Sequence, residues 1–339
     1  MFDVMTGRMT AKAVKRNAVV FATSKGKLTR EAAMVDKQVG GAVSLALKGS
    51  RFDGSSGEMV RVSVKGTMQN VLVVGLGKIA GMDRAAWWKA GLGLGKQLDA
   101  MGWKDATIAL GDMDCKVDAT QQGVALVEGL HMAQYRFEKY KTDVKDHMKV
   151  RFGKVTLLTN ASAAKVIKNA MPKVKVLLES VEVARTAANL PPNVANPQFM
   201  ADEAKKLEKL GVKVEIFDEK QLTKMGCNLI MAVGANAHEN DQPRLVIMKY
   251  EGAGKGKPYT AIVGKGVMFD TGGYNIKPGA SMRGMKFDMC GAAAVLGAMR
   301  ALAARKANVN VVGVMSCAMN MIGKFPFVMD SIYTGYKGV

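Results

Sequence analysis

Residues 263–288 place two aspartates and three lysines, Lys265, Asp270, Lys277, Lys286 and Asp288, in a stretch rich in glycine. Glycine lets a backbone approach a ligand closely. Carboxylates and a deprotonated amine can hold a divalent cation, while a neighbouring ammonium polarises a carbonyl. That combination is hydrolytic chemistry without histidine. Pattern alone also admits a plainer reading, a glycine-rich connector carrying solvated charges.

Other candidate sites are weaker. His131, His147 and His238 lie far apart and far from this stretch, which argues against a histidine zinc site or a Ser-His hydrolase. Gly75-Leu76-Gly77-Lys78, with Gly81, imitates a dinucleotide fingerprint. Its spacing is G-x-G-x-x-x-G, and Asp99 falls in a helical pattern, so it reads as a structural turn. Cys115, Cys227, Cys290 and Cys317 form no C-x-x-C pair and read as buried thiols of a reducing compartment.

The elements that must position these residues alternate strand and helix. Strands are expected at 17–23, 59–64, 70–74, 106–110 and 155–158, with helices at 83–101, 121–135, 161–169 and 177–189. Pro191-Pro192 and Asn196-Pro197 are strong punctuation. Beyond them come a helix at 197–210, strands at 212–217, 229–233, 244–250 and 260–264, a helix at 291–304 and a strand at 309–316. The later strands are nearly continuous Val, Ile and Met, which suggests a sheet buried on both faces. The expected class is α/β with two domains, residues 1–165 and 166–339. The chemistry-bearing stretch would follow a parallel strand at its carboxyl end, where open α/β sheets bind ligands.

The bulk composition is ordinary for a globular chain, at 48% hydrophobic and 23% charged over 339 residues. No uninterrupted apolar run approaches the roughly 20 residues of a spanning helix, so no membrane partner is expected. Residues 1–10 show no secretory pattern, which points to the cytoplasm. Arg8, Lys12, Lys15 and Arg16 leave an organellar matrix as the alternative. The net charge of +20 is unusual. Residues 1–50 hold nine Lys or Arg against three Asp or Glu. Such an excess suits either a solvated surface or a polyanion partner such as nucleic acid.

The stretches V-G-K-G-V-M-F-D-T-G-G-Y-N-I-K-P at 263–278 and M-K-F-D-M-C-G-A-A-A-V at 285–295 resemble signatures of the leucyl aminopeptidase family of metallo-exopeptidases. Weaker similarity includes Arg51-Phe52, Gly57-Glu58, residues 73–78, residues 189–197 and Pro243-Arg244-Leu245. The resemblance implies a macro-like N-terminal α/β domain and a mixed-sheet α/β metallopeptidase domain, usually assembled as a hexamer. It implies that Asp270 bridges two divalent ions (manganese, zinc or magnesium), that Lys265 and Asp288 bind one of them, and that Lys277 polarises the scissile carbonyl.

The family completes its site with a later Asp-x-Glu-x-Arg run, whose arginine holds a bicarbonate. No such run occurs in these 339 residues, and Asp330 is the single acidic residue after Asp288. Arg283-Gly284, Met319 and Phe327-Val328-Met329 also depart from the family's usual residues, and the C-terminal end reads as an interrupted domain. Two divalent ions bring four positive charges against two from Asp270 and Asp288, a costly imbalance in a partly desolvated site. The leading expectation is therefore an aminopeptidase acting on peptide N-termini, with dimetal catalysis short of carboxylates. The rival is a catalytically inactive scaffold associated with nucleic acid or a ribonucleoprotein.

Overall fold

Runs of Val, Ile, Leu and Ala bounded by glycine and polar residues build the central strands of the first unit, and those runs are buried on both sides. The computed structural model describes residues 2–144, 152–325 and 327–339. His147 lies outside the described residues. Two compact units divide the chain, Met1–Leu178 and Glu179–Val339.

The first unit contains strands β1 (Asp3–Arg8), β2 (Arg16–Thr23), β3 (Lys27–Leu28), β4 (Met59–Ser63), β5 (Met68–Gly75), β6 (Asp105–Gly111) and β7 (Lys154–Thr159). They form one sheet in the order β1-β7-β6-β2-β5-β4, with β3 paired to β2. The five strands from β1 to β5 in that order are parallel, and β4 and β3 pair antiparallel. Helices α1 (Arg30–Gln38), α2 (Ala42–Lys48), α3 (Arg84–Ala100), α4 (Ala119–Gln134) and α5 (Ala161–Asn189) complete it. Successive residues of one strand serve opposite cores. Val19, Phe21, Leu72 and Val74 pack with Trp87, Leu94 and Leu126, whereas Val20, Ala22, Val71 and Val73 pack with Val35, Leu47 and Phe52. A strand with two buried faces needs an unbroken apolar run.

The chain divides within α5, and the sequence-based boundary at residue 165 falls in the first turns of the same helix. Sequence punctuation suggested two helices here; the structure has one, with Pro172 inside it. Proline removes a single helical donor, and buried Ala163, Ile167, Val174 and Leu178 anchor the helix on both sides of that break. The Gly75-Leu76-Gly77-Lys78 turn is closed by a neighbouring loop: a Cβ on Gly75 would lie 2.2 Å from the Ser55 carbonyl oxygen.

The second unit contains α6 (Pro197–Lys205), β8 (Lys213–Phe217), α7 (Glu219–Lys224), α8 (Asn228–Gly234), β9 (Arg244–Glu251), β10 (Tyr259–Asp270), α9 (Gly279–Met282), α10 (Cys290–Ala304) and β11 (Asn310–Asn320). Its sheet runs β10-β11-β9-β8, with β10 and β11 parallel and the other pairs antiparallel. The expected strand at 229–233 is instead helix α8. A short apolar run fits either state. Here it follows a left-handed Gly226 (φ 72°) and ends with Gly234 against Pro243 and Ala318.

The expectation of a sheet buried on both faces also fails at β10. Gly264, Gly266 and Met268 are buried, while the alternating Lys265 is exposed and Val263 is 72% exposed. Residues 279–304 are apolar and long enough on composition to cross a membrane, but half of their most apolar 18-residue window is buried. Gly284, at φ 87°, interrupts helical geometry there.

The glycines of β10 exist because α10 begins directly on the strand. A Cβ on Gly264 would lie 2.4 Å from the Gly291 carbonyl oxygen, and one on Gly291 would lie 2.8 Å from the Lys265 nitrogen. Gly264→Ala is expected to destabilise the second unit by about 1–3 kcal/mol, read by chemical unfolding. Gly279→Ala, where nothing lies within 4 Å, should change stability by less than about 0.5 kcal/mol. Equal effects of the two substitutions would refute this packing.

Candidate active site

The strand expected at 260–264 continues to Asp270, so Lys265 and Asp270 stand on the strand itself and not in an open loop. In a regular strand, residues five apart point to opposite faces. Between Val267 and Phe269 the register shifts, leaving Met268 as an extra residue. Lys265 then pairs with Ser316 and Asp270 with Asn320, four apart on β11, so both take the same face.

Residues 271–277 turn tightly and return Lys277 to the strand end. The Lys277 N–H donates to the Thr271 carbonyl at 2.8 Å. Gly272, at φ 89°, is needed: a Cβ there would lie 2.3 Å from the Asn275 carbonyl oxygen. Lys277 Nζ consequently donates to Asp270 Oδ2 at 2.7 Å and lies 3.1 Å from Met285 Sδ. After Gly284, a 3₁₀ turn at Met285–Phe287 delivers Asp288 to Lys265, with Nζ to Oδ2 at 3.0 Å. Lys286 turns elsewhere and donates to the Asn189 carbonyl at 3.0 Å.

The four expected site residues are thus paired two by two, Lys265 with Asp288 and Lys277 with Asp270. Asn320 and Thr271 also belong to the site and had no role in the sequence reading. Asn320 Nδ2 donates to Asp270 Oδ1 at 2.8 Å, the Gly272 N–H donates to the same oxygen at 2.9 Å, and Thr271 Oγ1 donates to the Asn320 carbonyl at 2.7 Å. Only the β10–β11 register could have revealed Asn320, since it lies fifty residues from Asp270.

Burial alone would raise the Asp270 carboxyl. The Lys277 ammonium, the Gly272 N–H and the Asn320 amide outweigh it and hold the group below the usual aspartate value. Beside Asp288, burial and that carboxylate's charge push the Cys290 thiol up, so it stays protonated at neutral pH. Cys290 is exposed, contrary to the expectation of buried thiols; Cys317 is fully buried and pushed up to about 12.

By charge, two carboxylates would balance one divalent cation and the Lys265 amine would add a third ligand, although Asp270 and Asp288 are here paired with different lysines. Among the described residues no group of three His, Cys, Asp or Glu side chains is gathered for a metal. The arrangement does not by itself supply a second ion's ligands.

Residues 182–339 match the catalytic-domain model of the cytosol aminopeptidase family, and residues 19–144 match the family's N-terminal domain. The cytosol aminopeptidase of Pseudomonas aeruginosa is 36% identical over 315 residues, 91% of this chain and 63% of that protein. A probable cytosol aminopeptidase of Pseudomonas syringae pv. tomato is 34% identical over 328 residues, 94% of this chain and 65% of its own length. The chain therefore spans about 63–65% of the relatives it matches. In structure it is similar to a mutant of tomato leucine aminopeptidase, with a TM-score of 0.81 at 21% identity over 100% of this chain and 66% of that one. It is also similar to the bottromycin maturation enzyme BotP in complex with Mn, at TM-score 0.76 and 22% identity over 96% and 64% of the two chains. Likeness at that identity establishes the fold.

A carboxyl group held low in the folded state contributes stability above its unfolded pKa and loses it as pH falls through the folded value. Asp270 is such a group. Asp270→Asn should therefore flatten the acid limb of the stability curve below about pH 4, measured by unfolding at stepped pH. An acid limb identical to that of the parent protein would contradict the assignment.

Proposed function

Because the chain belongs to the cytosol aminopeptidase family, we propose that it is a metal-dependent exopeptidase that removes N-terminal, preferably apolar, residues from peptides in the cytoplasm. The observation that carries this reading is the convergence of Lys265 with Asp288 and of Lys277 with Asp270 at the carboxyl end of β10. In this reading Lys265, Asp270 and Asp288 hold one divalent ion, with manganese, zinc and magnesium as the candidates. A second ion and a bicarbonate base, as the family resemblance implies, would need ligands from beyond this set. A hexameric assembly is part of the same proposal.

When bound, a divalent ion supplies Lewis acidity and lowers the pKa of water at the site. The chain's own residues do the positioning. Asn320 and the Gly272 N–H hold one oxygen of Asp270, which fixes the direction of the other. Lys277 keeps its proton at Nζ and presents it to the scissile carbonyl oxygen, where negative charge develops during attack. Its turn is braced by the Thr271 carbonyl, so little reorganisation is required. Lys265 can serve as a ligand only as the neutral amine, so ion uptake must displace a proton and break its pairing with Asp288.

One observation favours a second reading, a metal-free scaffold: each carboxylate already carries a lysine ammonium. With a net charge of +20, such a scaffold would bind RNA or DNA with steep salt dependence.

Calorimetric titration with manganese should give about one ion per chain, with affinity falling roughly tenfold for each pH unit of acidification as one proton competes. Asp288→Asn should abolish uptake. Metal-loaded protein should hydrolyse leucine amide, and Lys277→Ala should slow it by about 100-fold or more. Absence of both ion uptake and turnover, with salt-sensitive RNA binding, would replace the peptidase reading with the scaffold.

A further inference from the structure

A cavity of about 340 Å³ lies in the first unit between β1, α4 and α5, and no residue of the candidate active site lines it. Three parts of the unit line it. Phe2, just before β1, and Asp3 and Val4 at the start of β1 form one wall. Val127 and His131, one turn apart on α4, form another wall. The third is a single stripe of α5: Lys168, Met171, Pro172, Lys175 and Leu178, spaced as one helix face. Phe2, Val127, His131 and Leu178 are at most 5% exposed.

The volume is within the range of about 300–1,000 Å³ common for small-molecule sites, which are largely apolar with a few placed polar groups. Polarity here is confined and mostly cationic: two lysines against one carboxylate, Asp3, and the His131 ring. Lys168 and Lys175 are exposed and stand two turns apart, about 10 Å along the helix axis, with Met171 and Pro172 between them. Lys168 pairs with no carboxylate among the described residues.

We infer that this cavity binds an elongated amphipathic carboxylate, a medium-chain fatty acid, with the chain along Met171, Pro172 and Leu178 and the carboxylate at Lys168. The wall running from Lys168 to Leu178 favours a linear aliphatic body over a compact ring, and the Lys168 ammonium at one end provides a charge-assisted anchor. Burial of the chain supplies most of the affinity.

Calorimetry on the full 339-residue chain with decanoate, below its micelle concentration, tests this. Decanoate is expected to bind more tightly than about 1 mM. Decanol and decyltrimethylammonium should bind at least about tenfold more weakly, as should decanoate to a Lys168→Ala variant. Val127→Trp, which fills the cavity, should abolish binding, with Met171→Trp as the second filling variant should the first fail to fold. Three results would each overturn the assignment: no decanoate binding at that concentration, decanol binding as tightly as decanoate, or undiminished binding to a folded filled variant. Tighter binding of 3-phenylpropionate than of decanoate would overturn the linear-chain identification.

Discussion

The close contact between β10 and the first turn of α10 is the constraint on which the candidate active site depends. It brings backbone against backbone: side chains at Gly264 or Gly291 would collide with main-chain atoms of the opposing element. The same seating places Ala292 beside Gly266 and brings Asp288, two residues before the helix, within reach of Lys265. Glycine in a strand interior is ordinarily a weakness, through lost packing and chain entropy. Here it permits the approach that assembles two distant charges into one pair. The glycines first suggest a loop opened for ligand; their role is structural.

A second constraint is electrostatic. Asp270 and Asp288 are each compensated by a lysine, and Asp270 is further fixed by two neutral donors. Carboxylates satisfied in this way keep their geometry before any cation arrives, at the cost of a competition between ammonium and metal for the same oxygens. Two carboxylates match the charge of one divalent ion and not of two. A second ion would need carboxylates beyond these two, and the chain spans about 63% of its Pseudomonas aeruginosa relative.

The fold was legible wherever burial is uniform along an element. Strands β2, β5 and β6 bury both faces, and their apolar runs stand out. Helices α3, α4 and α10 show matching periodicity, the first two with Asp83 and Asp118 as caps. Legibility failed where neighbours decide. The run at 228–234 is helical because it packs over Pro243 and Ala318, and α5 continues through Pro172 because both sides of it are anchored in a core. The short β1 depends on pairing with β7, some 150 residues along the chain.

By itself the sequence determined the two-unit α/β class, the family likeness and the identity of the four charged residues, because composition, periodicity and residue spacing are local properties. Only the tertiary structure decided who pairs with whom. The extra residue at Met268 reverses the facing of everything after it, and so sets Asp270 on the same side as Lys265 and opposite Asn320. A one-residue register change is invisible in a list of residues, yet it moves a side chain from one face of a sheet to the other.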